Sequence, residues 1–389
     1  MKLPGSIASS KRDKPNAPTS VSATNVGTGR AYNDGRVDVT FTPPVYDGGE
    51  AITGYIVTST PSSITATGTA SPISVTGLAS GVSYTFTVSA INSVGTGTPS
   101  SATSAVTATT IPQAPTIGTA TGANTTASVT FTAGATGGAA VSTFTATSTP
   151  SSITGSAASS PISVTGLTNG TGYTFTVTAT NANGTSIASA ASNSTIPATV
   201  PVAPTIGTLS PTANVAYGST PTMSITFTAN GDGGATITSY KYSTNGGTTY
   251  ATASGTTSPL TLTTQSTGSA FVAGTSYSVL LKAVNVKGDS SASSASNSTN
   301  ACTVPQAPQS ASVSWTPGGT TATATFTAGN SGGSAITIYT FTGFPFPSFS
   351  VTGTSSPLTF NSSPSQPFPS NETFGLYATN ACGTSTSGV

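Results

Sequence analysis

Ser59–Leu78 reads STPSSITATGTASPISVTGL and Ser148–Leu167 reads STPSSITGSAASSPISVTGL, so one segment recurs 89 residues later with 15 of 20 positions identical. Such self-similarity at a fixed spacing marks an internal duplication, and each copy is then one structural unit. A second marker, Pro-x-Ala-Pro, occurs at Pro15–Pro18, Pro112–Pro115, Pro201–Pro204 and Pro305–Pro308, spaced by 89 to 104 residues. Proline fixes φ and has no amide donor, so it suits a linker or the first residues of an edge strand. Four units are expected, each opened by this motif: 15–110, 111–197, 198–301 and a short, divergent 302–389, preceded by a basic arm at 1–14.

Within each unit the apolar residues alternate. Val37, Val39 and Phe41, then Val129 and Phe131, then Met223, Ile225 and Phe227, then Ala322, Ala324 and Phe326 each define a period of two. That is the signature of a half-buried strand. A glycine pair follows each (Gly48-Gly49, Gly137-Gly138, Gly233-Gly234, Gly332-Gly333), and then an aromatic residue, Tyr55, Phe144, Tyr240 or Tyr339. This predicts a turn joining two core strands.

Composition narrows the chemistry. The 389 residues carry a net charge of +1, have no histidine, and contain no Asp, Glu, Lys or Arg from Ala51 to Gly231. General acid/base catalysis and metal binding need ionisable or imidazole groups, so no enzyme and no cofactor are expected. Near-zero charge offers no field to attract nucleic acid. With 35% hydrophobic residues in strand-like alternation the chain is expected to fold. The opening Met1–Ile7 lacks the apolar run of a secretory signal, and no stretch reaches the roughly 18 apolar residues of a membrane span. Export by lysis of a host or by a dedicated secretion system is expected instead.

Four candidate sites stand out. Lys2, Lys11, Arg12 and Lys14, opposed by Asp13, form a basic N-terminal arm that reads either as a solvated tail or as an anchor that orders on an assembly. Asp34, Asp38, Asp47 and Glu50 could crowd round calcium, but Arg30 and Arg36 lie close enough to neutralise them, and ordinary turn roles are expected. Tyr339, Phe341, Phe344, Phe346 and Phe349 form an aromatic stretch interrupted by Pro345 and Pro347. Two prolines exclude a regular central strand throughout, so Phe344, Phe346 and Phe349 are candidate ligand contacts, with extra core packing as the alternative. Cys302 and Cys382 are too few for a disulfide framework and are either unpaired or bonded to each other. The Asn-x-Ser/Thr triplets at Asn124, Asn169, Asn183 and Asn371 arise by chance in so Ser/Thr-rich a chain.

Leu78 stands six residues before Tyr84, which is followed by Phe86, Val88, Ala90, Asn92 and Gly95. The same register holds Leu167, Tyr173, Phe175, Val177, Ala179, Asn181 and Gly184, and again Phe271, Tyr277, Val279, Leu281, Ala283, Asn285 and Gly288. This pattern resembles strands E and F of fibronectin type III domains. The resemblance implies an all-β protein of four fibronectin type III-like β-sandwich domains in tandem, elongated, with a short N-terminal arm. It makes Tyr84, Tyr173 and Tyr277 tyrosine corners, whose hydroxyls bond the upstream backbone. Two departures stand out: Phe41, Phe131, Phe227 and Phe326 replace the family's strand-B tryptophan, and Glu372 aligns with the corner tyrosine in the fourth unit. That unit's last strand is expected to be short or missing, leaving an edge that is shielded or recruits a strand from a neighbour. In this fold strand A begins at the pole that carries the F–G loop, so the resemblance implies that Cys302 and Cys382 are neighbours.

Charge-poor, Thr/Ser/Gly-rich domains of this kind resemble those of bacteriophage virions and bacterial surface proteins. The expected function is therefore a tailed-phage structural protein, a capsid decoration or fibre. It would be held to other virion proteins through its N-terminal region, be present in many copies, and contact host surface glycans weakly. A bacterial extracellular adhesin or surface-filament subunit is the alternative, and a module of a secreted polysaccharide-degrading enzyme a third. No membrane insertion is expected.

Overall fold

The computed structural model describes residues 11–344, 349–361 and 373–388, with no helix among them. The chain is all-β and consists of tandem sandwich domains of the fibronectin type III and immunoglobulin-like kind. It divides into two compact units at Pro197/Ala198, each holding two sandwiches.

In the first sandwich, strands A (Thr19–Asn25), B (Gly35–Thr42) and E (Ile73–Leu78) form one antiparallel sheet in the order A-B-E. Strands C′ (Thr65–Gly68), C (Gly54–Thr60), F (Ser83–Asn92) and the short G (Gly95–Thr96) form the other in that order. The same two orders recur in the other three sandwiches. Their B and F strands are Thr126–Thr132 and Thr174–Asn181, then Met223–Thr228 and Leu280–Asn285, then Thr321–Thr327 and Thr373–Asn380.

The alternation seen in the sequence becomes an inward face. Val37, Val39 and Phe41 are buried against Tyr84, Phe86 and Val88 of strand F, and Val129, Met223 and Ala322 hold the matching place in the other cores. Each buried Val, Leu or Phe contributes about 1.5–3 kcal/mol. The strand-B phenylalanine meets the strand-C aromatic in every core: Phe41–Tyr55, Phe131–Phe144, Phe227–Tyr240 and Phe326–Tyr339, with ring centroids 4.5 to 4.7 Å apart. This tilted pair fills the volume expected of a larger strand-B residue. Each strand-B phenylalanine also donates its backbone N–H to a serine that precedes proline, Ser71, Ser160, Ser258 or Ser356, at 2.9 to 3.0 Å.

The fourth core has small strand-B residues, Ala322 and Ala324, and makes up volume with buried Tyr339 and Phe341. Phe341 stacks on Phe374 at 5.5 Å, and Trp315 tilts against Phe374 at 4.8 Å. Its strand C runs Ile338–Phe344 and pairs with Thr373–Asn380, while strand C′ begins at Phe349. Pro345 and Pro347 lie outside the described residues.

Candidate functional site

The most repeated construction in the protein lies where a linker enters a sandwich. A buried asparagine ends each F strand: Asn92, Asn181, Asn285 and Asn380, each 4 to 5% exposed. Its Nδ2 donates to the linker carbonyl of Asp13, Thr110, Thr199 or Thr303 at 2.8 to 2.9 Å. The same Nδ2 donates to the B–C loop carbonyl of Asp47, Thr136, Asp232 or Ser331 at 2.7 to 2.8 Å. Its Oδ1 accepts the N–H two residues on, from Val94, Asn183, Lys287 or Cys382, at 2.8 to 2.9 Å. The linker residue then donates its own N–H to the carbonyl of the first glycine of the pair, Asp13 to Gly48, Thr110 to Gly137, Thr199 to Gly233 and Thr303 to Gly332, at 2.8 to 2.9 Å. Those glycines sit at φ of 67° to 85°, a region that L side chains rarely adopt. One amide thus ties linker, loop and turn together.

Within each compact unit the joint between sandwiches is bonded further. In the first, Ile111 donates to the Arg30 carbonyl at 3.0 Å and Gly29 to the Asn183 carbonyl at 2.9 Å. In the second, Val304 donates to the Val215 carbonyl at 2.8 Å and Asn214 to the Cys382 carbonyl at 2.7 Å. The A–B loop of one sandwich therefore grips the linker and the F–G turn of the next. Each joint leaves a cleft, of about 400 Å³ beside Tyr32, Gln113 and Ile187 and of about 420 Å³ beside Tyr217, Gln306 and Thr386.

Cys302 and Cys382 are bonded across the second of these joints, with Cα atoms 6.1 Å apart, within the range a disulfide spans. The bond fastens the linker to the F–G turn beside Asn380. The three tyrosine corners are placed alike: the hydroxyls of Tyr84, Tyr173 and Tyr277 accept the N–H of Ala79, Thr168 and Val272 at 3.0 to 3.1 Å. The Thr168 N–H favours the phenolate and holds the Tyr173 pKa below the usual tyrosine value. Burial pushes Tyr55, Tyr240 and Tyr339 the other way.

The basic arm is divided by the structure. Lys2 lies outside the described residues. Lys11 pairs with Asp13 at 3.3 Å and Arg12 with Glu50 at 2.6 Å, the two cations being mostly exposed, and Lys14 lies beside Gly95. Because Asp13 and Asn16 bond the Gly48 and Tyr46 backbone, the last arm residues are part of the first sandwich, and the arm is shorter than 1–14. Phe346 lies outside the described residues, as do the side chains of Phe344 and Phe349.

The acidic residues of the first sandwich are dispersed. Asp34 pairs with Arg30 at 2.5 Å, and Asp38 takes both Arg36 at 2.8 Å and Ser74 Oγ at 2.7 Å. The Arg36 hydrogen bond holds the Asp38 carboxyl below the usual carboxylate range. Among the described residues no three metal-ligating side chains gather, and no helix is long and apolar enough to cross a membrane.

A feature that the sequence reading passed over lies after each G strand. Ser186, Ser189 and Ser192 donate their N–H groups to the carbonyls of Ala179, Val177 and Phe175, and their Oγ atoms accept the N–H of the same three residues, all at 2.8 to 3.0 Å. Ser290, Ser293 and Ser296 do the same with Ala283, Leu281 and Val279. In the first sandwich Ser100 and Thr103 serve Val88 and Phe86. Asn193 and Asn297 follow the third serine and bridge the strand-A backbone, Oδ1 accepting from Ala120 or Leu209 N–H and Nδ2 donating to the same residue's carbonyl at 2.8 to 3.0 Å. The signal was a serine every third residue.

Among known proteins, a family match falls on the first sandwich. The family model "Fibronectin type III domain" matches residues 16–106. Among curated proteins none matches the chain. A crystal structure of the FN1-FN3 domains of chicken CNTN1 is similar at 16% identity over 71% of this chain and 96% of that one, with a TM-score of 0.30. The first sandwich is thus similar to the fibronectin type III family, and its strand order recurs in the three that follow.

Proposed function

We propose that this protein is a non-catalytic structural component that displays sandwich domains outside a particle or cell. Its most specific form is a tailed-phage virion protein, a capsid decoration or fibre held through its N-terminal region. The observation that supports this reading is the repeated joint, in which linker, loop and turn are bonded through one buried asparagine and, in the second unit, through a disulfide. Such a joint serves to hold domains in place. The second sandwich carries no Asp, Glu, Lys, Arg or His, and among the described residues of the whole chain no three metal-ligating side chains gather, which leaves little for turnover chemistry.

Weak contact with host surface glycans belongs to the same reading. Tyr32 and Tyr217, at the two joint clefts, are 38% and 42% exposed. A flat ring beside amides and hydroxyls is a surface on which a sugar stacks. Mass spectrometry of density-purified virions, and of cell-envelope fractions from the same culture, tests the proposal. Copy numbers comparable with capsid or tail proteins are expected in the virions. Recovery in the envelope fraction alone would overturn the virion reading in favour of a bacterial adhesin or surface-filament subunit.

A further inference from the structure

We propose that the two joint clefts are equivalent binding sites for a neutral saccharide, in which a turn tyrosine stacks on the sugar ring and a linker glutamine donates to its hydroxyls. This names the ligand class and the residues for the glycan contact proposed above, and rests on that reading.

The A–B loops differ between sandwiches. In the second and fourth they are short, 124–125 and 316–320, and hold no aromatic residue. In the first and third they are longer, 26–34 and 212–222, and both contain Ala-Tyr, as Ala31-Tyr32 and Ala216-Tyr217. Each Ala-Tyr opens a turn, closed at 3.0 Å by the Asp34 N–H on the Ala31 carbonyl or the Ser219 N–H on the Ala216 carbonyl. The third residue of each turn has a positive φ, 64° at Asn33 and 82° at Gly218, as a type II turn requires. Both tyrosines therefore occupy the second position of the same kind of turn. The carbonyl two residues before each ring, of Arg30 or Val215, accepts the linker N–H of Ile111 or Val304. That bond fixes the ring against the next sandwich before any ligand arrives.

The linker supplies the second group. The two Pro-x-Ala-Pro motifs that share a cleft with an Ala-Tyr turn carry Gln113 and Gln306 at x, whereas the other two carry Asn16 and Val202. Tyrosine and glutamine thus occur together, twice. Gln113 Oε1 accepts the Ala135 N–H at 3.2 Å and Gln306 Oε1 accepts the Asn330 N–H at 3.1 Å. Each amide is held by its oxygen, and among the described residues neither Nε2 donates to the protein.

Ring and amide together select the ligand. A pyranose has a C–H face that packs on an aromatic ring and hydroxyls that need a few placed polar groups. No Asp, Glu, Lys or Arg lines either cleft, and Arg30 and Asp34, which flank Tyr32 in sequence, pair with each other. A carboxylate sugar would lose hydration there without gaining a cation, so the ligand is neutral. The volumes of about 400 and 420 Å³ fall within the range of small-molecule sites. Tyr217 also borders a cavity of about 630 Å³ lined by Thr220, Asn330 and Gly333, so the site in the second unit continues past the ring and accommodates a chain of sugars.

Titration calorimetry of the full chain tests this, with cellohexaose, mannohexaose, chitohexaose and isomaltohexaose, each up to its solubility limit, and hexagalacturonate as the acidic control. A neutral sugar should bind at two sites per chain, one at each cleft. Tyr32→Ala and Tyr217→Ala should each remove one site, while Tyr32→Phe and Tyr217→Phe, which keep the ring, should retain it. Gln113→Glu and Gln306→Glu preserve the oxygen that accepts the Ala135 or Asn330 N–H and lose only the donor. Each should weaken its site about ten-fold and leave thermal unfolding unchanged, which a purely structural glutamine would not predict. Neutral-sugar binding that persists in the Tyr32→Ala/Tyr217→Ala chain would overturn the proposal and leave the glycan reading standing at another surface. Binding of hexagalacturonate alone would overturn the neutral class, and a chain that binds none of these sugars would overturn both the proposal and the glycan reading.

Discussion

Replacing Asn380 by alanine should unfold the fourth sandwich well before the rest of the chain. Asn380 is 4% exposed and makes close hydrogen bonds to the Thr303 carbonyl at 2.9 Å, the Ser331 carbonyl at 2.7 Å and the Cys382 N–H at 2.8 Å. Each is worth about 1 kcal/mol net, and stranding buried partners costs about 1–3 kcal/mol more per group. The Cys302–Cys382 bond keeps linker and turn in place, so the stranded carbonyls have little room to find new donors. A loss of about 3 kcal/mol follows, which at a urea slope of about 1 kcal/mol/M lowers the midpoint by about 3 M. Tryptophan emission reads this transition alone, because Trp315 lies in the affected sandwich.

Asn380→Asp sharpens the test. At neutral pH it presents a carboxylate to two carbonyl oxygens, so its folded-state pKa rises above the unfolded value of about 3.9. The protonated form can still donate once. Stability is therefore recovered in part below about pH 4 and lost as pH rises through the folded-state pKa. Glu372 is the only other ionisable Asp, Glu, Lys or Arg after Cys302, so little else in this sandwich titrates. An alanine variant whose midpoint stays within about 0.3 M of the parent, or an Asp variant indistinguishable from it at pH 7, would refute the clasp.

Three further outcomes are expected. Reducing the disulfide, or replacing both cysteines by serine, should cost the fourth sandwich about 2–4 kcal/mol, read as a lower urea midpoint of Trp315 emission; no change would mean the bond closes a loop already fixed by other contacts. Ser189→Ala removes the acceptor for the buried Val177 N–H and should destabilise the second sandwich by about 1–3 kcal/mol, measured by hydrogen exchange of strand F. Acidification should loosen the first sandwich alone in the first unit, because Asp38 has a lowered pKa and its contribution, present above about pH 4, is lost as pH falls through the folded-state value. The second sandwich has no Asp or Glu, and equal acid-induced exchange in both would contradict this.

Much of the fold was legible because it rests on side-chain alternation. Val37-x-Val39-x-Phe41 and Tyr84-x-Phe86-x-Val88 place one residue type on one face, and a period of two has a single structural meaning. The Leu-to-Tyr spacing, read through the family resemblance, located the corner tyrosines whose hydroxyls bond the backbone five residues upstream. The asparagine clasp was visible as a recurring residue but not as a function, since its partners are carbonyls from 45 to 86 positions away that any residue type can supply. The boundary of the arm was obscured for the same reason: Asp13 joins the first sandwich through backbone atoms, which leave no mark on composition.

The hydroxyl ladder escaped notice because it breaks the rule by which strands are recognised. Successive rungs such as Ser186, Ser189 and Ser192 are three residues apart, yet they meet Ala179, Val177 and Phe175, which are two apart. Two strand residues span about 6.7 Å, so the ladder advances about 2.2 Å per residue, shorter than either an extended strand or a polyproline helix. Only every third residue faces strand F, and it must offer both an N–H and a small acceptor, a requirement that serine and threonine meet. In the second and third sandwiches the residues between rungs are Ala or Ser, apart from Ile187. The abundance of small hydroxyl residues is thus in part the closing seam of the sandwiches.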